Sequence, residues 1–555
     1  MNKIKTVLNG LFLSSTVWLS YGFADNYFEL SKNLDIFSTV IKELNTYYVD
    51  ETKPGELMKT AIDGMLESLD PYTNYIPESQ IEDYRFMTTG QYGGIGALIH
   101  KDSDIVVISE PYEGFPAFKA GLKAGDIQIK VDENTVEGKS TSEISSFLKG
   151  QPGTPLKITV KRPRNEELII KEVIRENIKI NDVPFYGMID KEVGYIRLTG
   201  FTQTASKEFI AAFKDLKEKQ GMKRLVFDLR GNGGGLLIEA VNIVNTLIPK
   251  GKKVVETRGK LKKWDATYAT RNEPLDTQIP VVILTNGGSA SASEIVAGTL
   301  QDYDRAVILG KQTFGKGLVQ QTRPLSYNAQ LKVTVAKYYI PSGRCIQKLD
   351  YSNKDERGKA QTVPDSLISS FTTLLSKRPV SDGKGIKPDI VTEEESISMV
   401  ASVLMRKLHI FNYATTYALN HDSIVGPKKF KLTESEYQEF ASYLKDKKYN
   451  YSTQSEKLLK KLKEVAEGEK YFNDAESEYS ALLEKLSPNK EEDLIKFKKE
   501  IKLLLENEII SRYHYQDGRI QQSLNTDPDV LSAIKLLKNQ KKYNEILAGT
   551  FTAKK

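Results

Sequence analysis

From Gly194 to about Ile390, short apolar runs alternate with helical patterns. The order is YIRLTG, a helix around Phe209 to Leu216, RLVFDLR, a helix after Gly235, PVVILT, a helix after Ser291, RAVILG and LKVTVAKYYI. Strands separated by whole helices cannot be hairpin neighbours, so this stretch predicts an α/β domain with a largely parallel sheet and crossover helices. Functional residues then belong at strand ends. With 555 residues the chain also exceeds what one hydrophobic core organises, so further domains must flank this one.

The flanking patterns differ from the middle. Residues 25–88 read as helical, with Ile36, Val40, Ile41 and Leu44 spaced by three and four, a face expected to pack on a neighbour; the Asp70-Pro71-Tyr72 turn follows. Between Gly93 and Ile178 come short β-type runs with one helix-like segment, Thr141 to Leu148, predicting a small β-rich domain over 89–178. The α/β domain is assigned to 179–392. From 393 to 555 the chain is rich in Lys and Glu, with stripes at Leu458, Leu462 and Val465, at Tyr479, Leu482, Leu483 and Leu486, and at Leu494, Phe497, Ile501 and Leu504. These are expected to be core seams of an all-α region whose charged faces meet water.

Residues 1–24 carry Lys3 and Lys5, a mostly apolar stretch from Val7 to Leu19, and small residues at Gly22 and Ala24, the features of a signal peptide cleaved after Ala24. The apolar stretch falls short of the roughly 20 residues that span a bilayer. Export to the periplasm is expected, with inner-membrane association if the signal stays. Cys345 is the single cysteine, so an intramolecular disulfide is excluded. A net charge of +6 is small for a chain of this length and gives no reason to expect a nucleic-acid partner.

Chemistry concentrates at TNGGSASASEIVAG, where an apolar strand runs through a Gly-rich turn into a helix. Serines here sit near unpaired N–H groups and a positive dipole end, which favour an alkoxide and an acyl-transfer oxyanion. Ser289, Ser291 and Ser293 could equally serve as helix caps. A nucleophile needs a base, and His100, His409, His421 and His514 all lie outside the α/β domain. Lys316, between Gly315 and Gly317 and beside Phe314, is the candidate left. To work near neutral pH its pKa must fall from about 10.4 to about 7–8, a bias of about 4 kcal/mol that burial can supply. If Ser291 is the nucleophile, backbone donors for the oxyanion are Ala292, which follows it, and Gly234, after RLVFDLR.

GGIGALI, then GLKAGD at Gly121 to Asp126, then LKGQPGTPLKITVKR resemble the carboxylate loop, turn, helix and last strand of a bacterial PDZ domain. That likeness implies carboxylate capture by Gly94, Ile95 and Gly96, with Leu98 and Ile99 lining the side-chain pocket. Further on, FDLRGNGGGLL, NGGSASASEIVAG, LQD, GKQTFGKGLVQ, YYIPSGRCIQ and GIKPDI make the chain similar to the C-terminal processing peptidases, or tail-specific proteases, over roughly two-thirds of its length.

The resemblance implies a crotonase-like α/β core with an inserted PDZ domain, a Ser291 nucleophile, a Lys316 base, Gln320 orienting the lysine, and a supporting role for Asp302. Neither a metal nor an organic cofactor is implied. Family members often carry proline where Gly233 stands. The expected substrates are unfolded or tail-exposed proteins with apolar C-termini. An adaptor protein, a homo-oligomer and a cover for the active site remain open uses of the C-terminal region. The alternatives are a non-catalytic PDZ scaffold that binds tails, and an acyl-CoA enzyme on the same core.

Overall fold

The computed structural model describes residues 27–102, 104–165, 167–393 and 397–551, so the expected signal peptide lies outside the described residues. The chain divides into two compact units. The first comprises the described residues up to Glu78 together with 320–334 and 354–359, and the second holds the rest.

In the first unit a helix covers residues 27–47, and a second, Pro54–Glu67, begins with proline, whose missing N–H is no loss in the first turn. The Asp70 carboxylate then accepts the N–H groups of Tyr72 and Thr73 at 2.8 and 2.9 Å, closing the Asp-Pro-Tyr turn. Strand Asn74–Ile76 pairs antiparallel with residues 330–332. Contrary to the expectation that the first helix packs on a neighbour, Val40 and Leu44 are exposed and only Ile41 is half-buried.

The second unit opens with the β-rich domain. Its strands Ala97–Asp102, Ile105–Pro111, Ile127–Val131, Pro155–Lys161 and Leu168–Ile174 lie side by side in that order, all antiparallel, so Ala97–Asp102 is an edge. Helix Thr141–Leu148 has the predicted bounds. Ser140 and Glu143 cap each other's backbone N–H groups at its start, and Ile144 and Leu148 face the domain core.

The α/β domain is built on a six-stranded sheet in the order Phe185–Met188, Val193–Arg197, Arg224–Asp228, Val281–Thr285, Val307–Gly310, Ile390–Val391. It is parallel except for its first strand. Val281–Thr285 and Val307–Gly310 are buried along their whole length, as strands covered on both faces must be. Helices Ala205–Lys214, Leu237–Asn245 and Ala292–Asp302 cover one face. The other is covered by Val530, Ala533, Leu536, Leu537, Tyr543 and Ile546, from helices Pro528–Lys538 and Gln540–Leu547.

The helical region from 393 on therefore serves two cores. Residues 400–510 form a helical domain around their own core, whereas those from Ile520 on complete the layers of the α/β domain. Of the three stripes read as seams, Leu494 and Ile501 are buried, but Leu458, Leu462 and Val465 face solvent.

Candidate active site

The strand Val281–Thr285 ends in Asn286, and the turn that follows delivers three serines to the start of helix Ala292–Asp302. Their surroundings separate them. Ser289 is fully buried and its hydroxyl donates to Leu229 O at 2.8 Å; Ser293 is fully buried and donates to Asn232 O at 2.9 Å. Both hydroxyls thus anchor the glycine loop after strand Arg224–Asp228. Ser291 is half-buried and has φ 55° and ψ −113°, a left-handed backbone at the residue preceding the helix. A non-glycine residue persists there only where its surroundings enforce it.

Glu294 does much of that enforcing. It is fully buried, one turn into the helix, and its Oε2 accepts the N–H of Ser291 at 2.8 Å and the N–H of Lys316 at 2.9 Å. The two backbone nitrogens therefore lie within about 5.7 Å of each other, the sum of those lengths. Its Oε1 accepts the Thr313 hydroxyl at 2.6 Å and the N–H of Gly315 at 2.8 Å. Burial lifts this carboxyl from 4.5 to about 7 although all four donors pull it down. On the carbonyl side, the buried Tyr338 hydroxyl lies 2.6 Å from Lys316 O and 3.1 Å from Ser291 O. One carboxylate and one phenol thus hold together the backbones of the expected nucleophile and base. Neither clamp was foreseen in the sequence, although SASASE already placed an acid three residues after the serine.

Gly234 approaches from the neighbouring loop. A Cβ there would lie 2.7 Å from Ala290 O, 2.8 Å from Ser291 Cβ and 2.9 Å from Ala292 N, at φ +96°, so this position requires glycine. Gly234→Ala is expected to lower kcat about 100-fold with little change in KM, measured on an unfolded substrate, because it displaces the Ser291–Ala292 peptide rather than a binding surface. Ala292 opens the helix, where N–H groups lack intrahelical partners. The Gly234 N–H already donates to Asn232 Oδ1 at 2.9 Å, so it is not a vacant oxyanion donor in this arrangement.

The other expected residues fall in distinct places. Gln320 belongs to the first unit, and its amide donates to Thr334 Oγ1 at 3.1 Å. Asp302 is fully buried, accepts from Arg344 at 2.9 Å and from the N–H of Ser342 at 2.8 Å, and so fixes the turn after Tyr339. In the β-rich domain Gly94 lies in a short strand opposite Glu176 rather than in a loop. Ile95 O accepts the Ala117 N–H, and Gly96 has φ +69° with Phe115 against it. Leu98 is exposed, and Ile99 is partly buried against the domain core. Among the described residues, no group of His, Cys, Asp and Glu side chains could hold a metal ion.

Three segments match known families: residues 192–352 match Peptidase family S41, 93–171 match PDZ domain, and 400–537 match Probable PDZ-protease, C-terminal helical domain. A carboxy-terminal-processing protease of Bartonella bacilliformis is 36% identical over 352 residues, 62% of this chain and 80% of that protein. A probable CtpA-like serine protease of Staphylococcus aureus is 37% identical over 319 residues, 57% of this chain and 62% of its own length. Among solved structures, photosystem II D1 C-terminal processing protease is 27% identical, with a TM-score of 0.36, covering 65% of this chain and 93% of that one. With four-fifths of a carboxy-terminal-processing protease aligned at this identity, and with peptidase and PDZ segments in place, the chain belongs to that family and is a serine-type peptidase of family S41.

Proposed function

We infer that this enzyme is an exported endopeptidase that selects proteins by their C-terminal tails and cleaves them with Ser291 as nucleophile and Lys316 as general base. The observation that carries the assignment is the shared clamp: Glu294 and Tyr338 each bond to the backbones of both residues, so that chain positions 25 apart are fastened at one point. Lys316 takes the Ser291 proton as Oγ attacks the scissile carbonyl and returns it to the leaving amine. Water, deprotonated by the Lys316 amine, then hydrolyses the acyl-enzyme, and the proton returns to Ser291 Oγ. The Ala292 N–H stabilises the oxyanion, joined by the Gly234 N–H once Asn232 releases it. Gln320 orients the lysine amine in this reading, and Asp302 supports the site through the turn at Ser342. The core follows the crotonase type.

The edge strand Ala97–Asp102 and helix Thr141–Leu148 offer the place where an extended tail adds to a sheet, its carboxylate reaching the Gly94–Gly96 backbone. The substrate class is then unfolded or tail-exposed protein with an apolar C-terminus. For localisation, the support is the character of residues 1–24; no described helix is long and apolar enough to cross a membrane.

One experiment tests both halves. The protein is incubated with an unfolded substrate bearing a free or an amidated C-terminus, and separately with a fluorophosphonate. Amidation is expected to raise KM about 10-fold or more with kcat little changed, and the adduct to map to Ser291. Equal KM values would remove the tail-reading role. An adduct on another residue would remove the nucleophile assignment.

A further inference from the structure

The turn that opens with Asp70 carries more hydrogen bonds than a turn needs. Closing Asp-Pro-Tyr takes only the N–H groups of Tyr72 and Thr73, yet the buried Asp70 carboxylate meets two hydroxyls as well. Thr73 Oγ1 lies 3.0 Å from its Oδ2, and Thr334 Oγ1 lies 3.2 Å from its Oδ1. Thr73 in turn accepts the Thr334 N–H at 3.2 Å. Strand Asn74–Ile76, pairing with residues 330–332, brings these groups together across 264 positions of the chain. The Thr334 hydroxyl also meets the amide of Gln320, in strand Leu318–Pro324. Asp70, Thr73, Gln320 and Thr334 all belong to the first unit.

The direction of each bond follows from the hydrogens available. A carboxylate has none to give, so Asp70 is the acceptor in every one of these contacts. A threonine hydroxyl has a single hydrogen; Thr334 commits it to Asp70 and can only accept from Gln320. At 3.1 Å from Thr334 Oγ1 the amide therefore presents its NH₂ group and turns its carbonyl oxygen the opposite way. That orientation matters to a lysine base. A neutral amine has two hydrogens and one lone pair. Facing an amide oxygen, it donates a hydrogen and keeps the lone pair for the serine proton. Facing a flipped amide, it would receive an N–H on that lone pair, in competition with the nucleophile.

We propose that Asp70 and Thr334 are positioning residues: Asp70 commits the Thr334 hydroxyl hydrogen, and Thr334 thereby holds the Gln320 amide with its oxygen, not its NH₂, offered to the catalytic amine. The proposal rests on the reading in which Gln320 orients Lys316. The rival role is a structural tie between the turn and the strand holding Thr334, a task that backbone pairing at Asn74, Tyr75 and Ile76 already performs.

The test uses the whole chain and a fluorogenic unfolded substrate, with thermal melts to establish that each variant is folded. Thr334 is half-buried in a strand, a setting that valine suits. Thr334→Val, which keeps the shape and removes the hydroxyl, is expected to lower kcat about 10-fold with KM little changed. Thr334→Ala, which loses the same hydroxyl with a different fit, should do likewise, and Thr334→Ser should restore kcat close to the wild-type value. Asp70→Ala frees the Thr334 hydrogen, so its kcat loss should match that of Thr334→Val and not add to it. Gln320→Ala should lower kcat at least as far, and Thr334→Val added to it should cost nothing more, because no amide is left to orient. Wild-type kcat in the folded Thr334→Val, Thr334→Ala or Asp70→Ala proteins, while Gln320→Ala is impaired, overturns the proposal alone. Losses at Thr334 and Gln320 that multiply also overturn it, since a structural tie acts independently of the amide. Undiminished kcat in Gln320→Ala removes the underlying reading of Gln320 and the proposal with it.

Discussion

Replacing Ser291 by alanine is expected to lower turnover of an unfolded protein by at least about 10⁴-fold while tail affinity stays unchanged. Of the three serines at this turn, the hydroxyls of Ser289 and Ser293 are both engaged by backbone carbonyls in a fully buried setting, so neither can take over. Lys316→Ala should have an effect of the same size. The double variant should be no worse than either single one, because nucleophile and base act as a unit. Lys316→Arg should not restore activity, since a guanidinium stays protonated and cannot accept the serine proton. The measurement is kcat on a fluorogenic unfolded substrate, with tail binding followed separately by fluorescence polarisation. Hydrolysis at near-normal rates in the Ser291→Ala protein would overturn the assignment.

Glu294→Gln is expected to lower kcat about 100-fold. The carboxylate receives four donors, two on each oxygen; a glutamine must turn an NH₂ toward two of them, losing hydrogen bonds that contribute about 1.5–3 kcal/mol each when one partner is charged. The same variant should alter how stability responds to pH. In the folded protein this carboxyl sits at about 7, raised by burial from 4.5. The folded state therefore holds the proton more tightly than the unfolded chain, and stability falls as pH rises from about 4.5 through 7, by about 3 kcal/mol in all. The contribution is intact at the acid end of that window and lost above it. Denaturant titrations between pH 5 and 8, in Ser291→Ala protein to prevent self-digestion, should show this decline, and Glu294→Gln should flatten it. An unchanged slope would mean that the buried carboxyl does not titrate in this window.

How far the sequence could be read depended on whether a pattern names its own partner. The motif around Ser291 did so, because strand, glycines, serine and helix are contiguous and fix a junction. Helix Thr141–Leu148 was legible for the same reason, with Ser140 and Glu143 in register as a capping pair. Tyr338 and Lys316 are far apart along the chain, and no local pattern says that a phenol will bridge to a carbonyl 22 residues away. Periodicity alone was ambiguous. Leu458, Leu462 and Val465 repeat as cleanly as Leu494 and Ile501, yet only the second group is buried, since spacing defines an apolar face and says nothing of what covers it. That the helices after 393 divide between two cores was not legible, because their composition is similar on both sides of the division.

The helices that close the sheet lie far along the chain from the strands they cover. Asp527 caps helix Pro528–Lys538, and with Asp529 it receives the guanidinium of Arg230, whose other partner is Asp228 at the head of the glycine loop. Tyr543 meanwhile bonds to the backbone of Val281 at the start of the strand that leads to Ser291. Without those segments one side of the sheet would be bare and Arg230 would lack two of its three counterions. Pairing Arg230 with residues 297 and 299 positions away makes closure of this sheet a long-range event, which local helix formation precedes.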